Sequence, residues 1–180
     1  MATAARLREQ GLLHYQAECF AEAALEFDMA ARAYQESGEF ATAAEMRNNL
    51  CVIRMAQADW PGAVEAVSGT AEVFHDCGDG VREAQAIANL AAARDGAGEV
   101  ETAAELYVQA IDLFGQLGER EVRSACFKKL SALQVKQGQQ LQALASMRSG
   151  LHLSDELTPR EKTLKALLNK AMRMMGLDER

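Results

Sequence analysis

Four copies of one pattern follow each other at a spacing of forty residues, and nothing else in the sequence restricts the fold as tightly. Ala23, Ala63, Ala103 and Ala143 superpose without exception. Tyr34, Phe74 and Phe114 superpose as well, each followed four residues later by a glycine: Gly38, Gly78 and Gly118. Leu50, Leu90 and Leu130 form another column. Phe20, Trp60 and Val100 stand three positions before the alanines, in a column that Gln140 breaks. A unit this short cannot enclose its own apolar residues, so neighbouring copies must stack to make a core.

Within each copy the apolar residues recur every three or four positions, which is the period of a helix and not of a strand. One unit reads as a helix pair over roughly 41–57 and 61–77. The pair recurs near 81–97 and 101–117, then near 120–137 and 140–153, and the opening copy uses about 3–17 and 21–37. Gly38, Gly78 and Gly118 fall where a helix end takes up a left-handed residue. Pro61 falls in a first helical turn, where its missing N–H does no harm. Thr158-Pro159-Arg160-Glu161 is an N-terminal capping box. It opens a last helix over about 159–175 with Leu164, Leu167, Leu168, Ala171, Met172 and Met175 on one stripe. That helix is expected to cover the apolar face left open by the final pair. The prediction is an all-α fold of nine helices in a single domain over 1–180. Its repeats lie at about 1–38, 39–78, 79–118 and 119–157, with a capping helix at 158–176.

Charge and composition narrow what such a fold can do. A formal charge of −7 and a pI near 5.1 argue against a direct nucleic-acid surface or an anionic membrane surface over most of the chain. The charge is uneven, because residues 158–180 carry six Lys/Arg against three Asp/Glu. A basic amphipathic helix can lie on a membrane or on another protein, but in a repeat array its stripe has a partner in the preceding pair. No stretch approaches the roughly 20 apolar residues of a membrane span. The first fifteen residues hold Arg6, Arg8 and Glu9 and no long apolar run. Cys19, Cys51, Cys77 and Cys126 form no C-x-x-C pair and stand at no zinc-ligand spacing from a histidine, so they read as reduced, mostly buried thiols. These features lead us to expect a cytoplasmic protein.

Catalytic signals are missing. His14, His75 and His152 lie in different repeats and at different helical phases. Gly78-Asp79-Gly80 and Gly96-Ala97-Gly98 lie between helices, without the preceding strand and following Lys-Ser/Thr of a phosphate loop. With no convergent titratable cluster, the expectation is a protein that is not an enzyme and that uses no metal or cofactor.

The repeat resembles the tetratricopeptide repeat in its forty-residue variety. The second helices carry the resemblance through a small–aromatic–small motif at Ala23, Phe27, Ala30 and at Ala103, Tyr107, Ala110. The other two copies depart from it with Ala63, Val67, Thr70 and Ala143, Met147, Gly150. The first helices carry leucine followed by a small residue in Leu50-Cys51, Leu90-Ala91 and Leu130-Ser131, while the opening copy keeps only Gly11 after Gln10. Asn49-Leu50 and Asn89-Leu90 are typical of the forty-residue form. The family's first-helix tryptophan is absent, as is its proline near 35, 75 and 115. The resemblance covers 1–157.

It implies a right-handed α-solenoid of four antiparallel helix pairs plus the capping helix, with the first helices lining a concave groove. Carried over position by position, the groove side chains are Arg8 and Glu9, Asn48 and Asn49, Ala88 and Asn89, and Lys128 and Lys129. Glu45 and Gln85 stand one turn earlier, and Leu12 and Val52 one turn later. The implied function is protein–protein interaction: a peptide or protein segment held in the groove, with the partner unnamed. An asparagine donates to and accepts from a peptide backbone at once. The same amides could instead bond neighbouring helices, and Lys128 and Lys129 either anchor an acidic group or are simply solvated. Two other roles stay open. One is a self-associating scaffold subunit that forms a homodimer through exposed solenoid ends. The other is a peptide-responsive regulatory adaptor that works through a partner.

Overall fold

The computed structural model describes residues 3–176. Within them the chain is helical and contains no strand. In chain order the helices are α1 Ala4–Gln16, α2 Phe20–Glu36, α3 Phe40–Ala56, α4 Trp60–Val67, α5 Thr70–Asp76, α6 Gly80–Gly96, α7 Val100–Leu117, α8 Arg120–Lys136, α9 Gln140–Leu153 and α10 Pro159–Met174.

The turns repeat every twenty residues, half the period of the sequence columns. Glu18, Gly38, Ala58, Gly78, Gly98, Gly118 and Gly138 all adopt positive φ, between 57° and 83°. At each of these turns the following N–H reaches back five residues to a helical carbonyl. Examples are Glu39 to Tyr34 at 2.9 Å, Asp59 to Arg54 at 2.9 Å and Glu119 to Phe114 at 3.0 Å. This bond of a Schellman turn satisfies a carbonyl that the helix end would otherwise leave without a partner. The same turn therefore closes both helices of a pair. Glu18 and Ala58 adopt it although each carries a Cβ.

One expected element is divided. The helix predicted over 61–77 is interrupted at Ser68-Gly69, where Gly69 has φ +78° and is the N-cap of α5. The described residues thus form ten helices where the sequence predicted nine. Serine and glycine leave a helix readily, one by bonding nearby backbone and the other by its conformational freedom. Side chains bond the carbonyls at the break. Ser68 Oγ donates to Val64 O at 2.6 Å, and Thr70 Oγ1 donates to Val67 O at 2.7 Å. From α3, Arg47 Nη2 donates to Glu65 O at 3.2 Å and Ser68 O at 2.7 Å.

The chain divides within α7 into two compact units, Met1–Leu106 and Tyr107–Arg180. In the first unit α2 packs between α1 and α3, and α6 packs on α4 and α5. Its core is built from Phe27, Tyr34, Met46, Leu50, Ile53, Val67 and Phe74. Ala23 and Ala63 are completely buried, as small residues must be where helices approach closely. Ala103 and Ala143, the other members of that column, are buried too.

In the second unit α8 lies along α9. Ser124 Oγ donates to Gly150 O and Ser131 Oγ to Ala143 O, each at 2.7 Å. The helices are so close there that a Cβ on Gly150 would stand 3.0 Å from the Ser124 carbonyl. The next helix, α10, starts at the capping box, in which Thr158 Oγ1 accepts from the Glu161 N–H and the Glu161 carboxylate accepts from the Thr158 N–H. Its apolar stripe is only partly covered, contrary to expectation: Leu168 and Met172 are buried, but Leu164, Leu167 and Met175 are exposed. At 100° per residue the six stripe positions spread over about 140°, wider than one packed neighbour covers.

Candidate functional site

The first unit holds a cleft of about 300 Å³ lined by Glu45, Asn48, Asn49, Val52, Phe74, Arg82, Gln85 and Asn89. Helical spacing puts them there. On α3, Glu45, Asn48, Asn49 and Val52 follow at steps of three, one and three, so they share a face. On α6, Arg82, Gln85 and Asn89 follow at steps of three and four. Phe74 comes from α5, fully buried, with the Arg82 guanidinium 5.9 Å from its ring centre.

The polar groups of the cleft fall into two sets. Glu45 is held by two arginines, Arg8 of α1 at 3.2 Å and Arg82 of α6 at 3.7 Å. Arg82 also pairs with Asp79 at 3.4 Å. Asn89 Nδ2 donates to Asn48 Oδ1 at 3.3 Å, and Asn48 Nδ2 donates to Ala44 O at 3.4 Å. This chain of amides ties α6 to α3, so Asn48 and Asn89 spend part of their bonding capacity on the scaffold. Asn49 and Gln85 make no side-chain hydrogen bond to any described residue, and their amides remain available.

A second, apolar cleft of about 160 Å³ adjoins the first and shares Asn49 and Val52 with it. Its other walls are Leu12 and Tyr15 of α1, Phe27 of α2 and Ile53 of α3. An unbonded amide at Asn49 therefore stands at the boundary between a polar seat and an apolar one.

Six of the residues predicted from the sequence (Glu45, Asn48, Asn49, Val52, Gln85 and Asn89) line the larger cleft, and Arg8 meets it through Glu45. Lys128 and Lys129 lie in the other compact unit. The Lys128 ammonium is engaged at 2.7 Å by the Glu161 carboxylate of α10, whereas Lys129 is exposed. Sequence reasoning missed Arg82, although it precedes Gln85 by three residues on the same helix. It placed Phe74 in the aromatic repeat column and Phe27 in the small–aromatic–small motif, and both are buried residues that also line a cleft.

Among the described residues, several ionisable groups are displaced from their ordinary ranges. Burial pushes the Cys51 thiol up to about 12 and the Cys126 thiol up to about 11. Asp59 is lowered by its hydrogen bonds, first from Arg54 and then from the Gly62 N–H. Glu161 falls to about 2, because it accepts from Lys128 first and then from the N–H and hydroxyl of Thr158. None of these groups lines either cleft. Among the described residues, no cluster of three His, Cys, Asp or Glu side chains is placed to hold a metal, and no helix is long and apolar enough to cross a membrane.

No protein-family model matches the chain, and no curated protein matches it. Solved structures do. RapI in its apo form aligns with a TM-score of 0.79 at 14% identity, over 96% of this chain and 69% of that one. BtubC (BKLC) from P. vanneervenii aligns with a TM-score of 0.74 at 19% identity, over 92% of this chain and 64% of that one. Both neighbours are tetratricopeptide-like helical-repeat proteins. At such identities the likeness concerns the fold alone: this chain is an all-α solenoid of the same kind and spans about two thirds of either neighbour's length.

Proposed function

We propose that the chain is a binding module that takes a segment of another polypeptide in the double cleft of its first unit and catalyses no reaction. The observation that carries this reading is Asn49, an unbonded amide between a polar cleft and an apolar one. A peptide backbone needs a donor and an acceptor side by side, and an amide offers both. A neighbouring ligand side chain of aliphatic size would then enter the seat between Leu12, Tyr15, Phe27 and Val52. The chemistry of the cleft favours binding over catalysis. Its one carboxylate, Glu45, is held by two arginines, and no histidine or thiol lines it. A general base needs a freer group with a pKa near the working pH.

Peptides selected from a random displayed library on the wild-type protein supply the probe. The best is titrated against wild type and Asn49→Ala. Losing one backbone-pairing amide costs about 0.5–1.5 kcal/mol, or roughly two- to tenfold in Kd. The unfolding midpoint should not move, because Asn49 bonds to no described residue. Failure to select any peptide, or equal affinity for both proteins, would overturn the reading.

A further inference from the structure

The last helix presents a second, unused face. Leu164, Leu167 and Met174 of α10 and its C-cap Met175 are 38%, 60%, 79% and 43% exposed. With Ala171 they fall within about 100° of the helix, in an arc that adjoins the buried Leu168 and Met172. Positions 164, 167, 171 and 174 keep the three–four spacing of a seam that packs lengthwise on another helix. Arg160 stands in the same arc and Lys170 about 40° beyond its edge, while the one acid of α10, Glu161, is already paired with Lys128.

A face of opposite charge lies on α2. Leu25 is 60% exposed and Met29 45%, and at 100° per residue they share an arc of about 60° with Glu22 and Glu36. The helix holds Glu22, Glu26, Asp28 and Glu36 against Arg32, which is itself paired with Asp28 at 2.8 Å. Leu13 of α1 is a further exposed leucine, at 58%.

We infer that these faces are the two halves of one interface between copies of this chain, with α10 of one copy lying on α2 of the next. Charge selects this occupant. Two α10 helices facing each other would set Arg160 and Lys170 of one against the same cations of the other beside the seam, whereas α10 on α2 sets these cations against Glu22 and Glu36. Because the two halves differ, the contact is heterologous. Each added copy offers a fresh half, so association is open-ended unless the rotation closes a ring.

The test uses solution mass measured from micromolar to millimolar protein. Wild type should grow beyond a dimer as concentration rises, and growth should weaken with added salt. Leu167→Glu on α10 and Leu25→Lys on α2 should each abolish growth with no change in helicity or melting, since both positions are exposed. An equimolar mixture of the two variants retains one good half on each molecule, so it should form dimers and stop there. A wild type that stays monomeric overturns the inference, even if it binds anionic phosphatidylserine vesicles through α10. A closed dimer that survives Leu25→Lys overturns it too, because that would be α10 pairing with itself.

Discussion

Ala58 and Gly38 occupy equivalent turns, and exchanging their residue types should shift stability in opposite directions for one backbone reason. Ala58 has φ +57° and Gly38 has φ +80°, and each N–H closes the same kind of helix end. A Cβ on Gly38 would meet nothing within 4 Å, so contacts drop out of the comparison. A left-handed residue with a Cβ is strained by about 1–2 kcal/mol, and glycine is free of that strain. Glycine returns about 0.5–1 kcal/mol of this through the greater entropy of its unfolded chain. Ala58→Gly should therefore stabilise by about 0.5–1 kcal/mol, and Gly38→Ala should destabilise by a similar amount. For a chain of this length that is roughly 1–4 °C in Tm, up for the first and down for the second. Urea titration with an unchanged m-value checks that the native state and not compactness has shifted. If Ala58→Gly melts lower than wild type, the turns are not governed by the left-handed strain assigned to them.

Two further outcomes follow from titratable groups. The Glu161 carboxylate is held at about 2, below its ordinary 4.5, so its contribution is fully present above pH 4.5 and disappears as pH falls through 2. The stability gap between wild type and Lys128→Met should accordingly be widest above pH 4.5 and narrow towards pH 2; a gap independent of pH in that window would refute the assignment. Thiol labelling of the native protein at pH 8 should modify Cys19 and Cys77 quickly and spare Cys51 and Cys126, whose thiols are buried and raised to about 12 and 11. Four equally fast cysteines would contradict that burial.

Most of the architecture was legible in the sequence, because a repeat reports the same local decision several times. The alanine column, the aromatic column and the glycines after it locate close helix contacts, core and turns without any knowledge of tertiary structure. The helix limits read from them agree with those observed to within a residue or two, apart from the division at Ser68-Gly69. The capping box at Thr158 is equally local, and it forms as its residues require. Choices between neighbours were not legible. Glu18 and Ala58 take the left-handed turn without glycine because the helices on either side impose it, and a propensity argument has no access to that constraint. The inward side of α10 is set by the surface it meets, so a stripe of six apolar residues could not say in advance that only Leu168 and Met172 would be covered. Hydrogen-bond partners across helices are decided in the same way. Spacing alone puts Asn48, Asn49, Asn89 and Lys128 on the first helices of their pairs. Only the distances between helices spend Asn89 on Asn48 and Lys128 on Glu161 and leave Asn49 free, since a side chain bonds whichever partner the packing brings within about 3 Å.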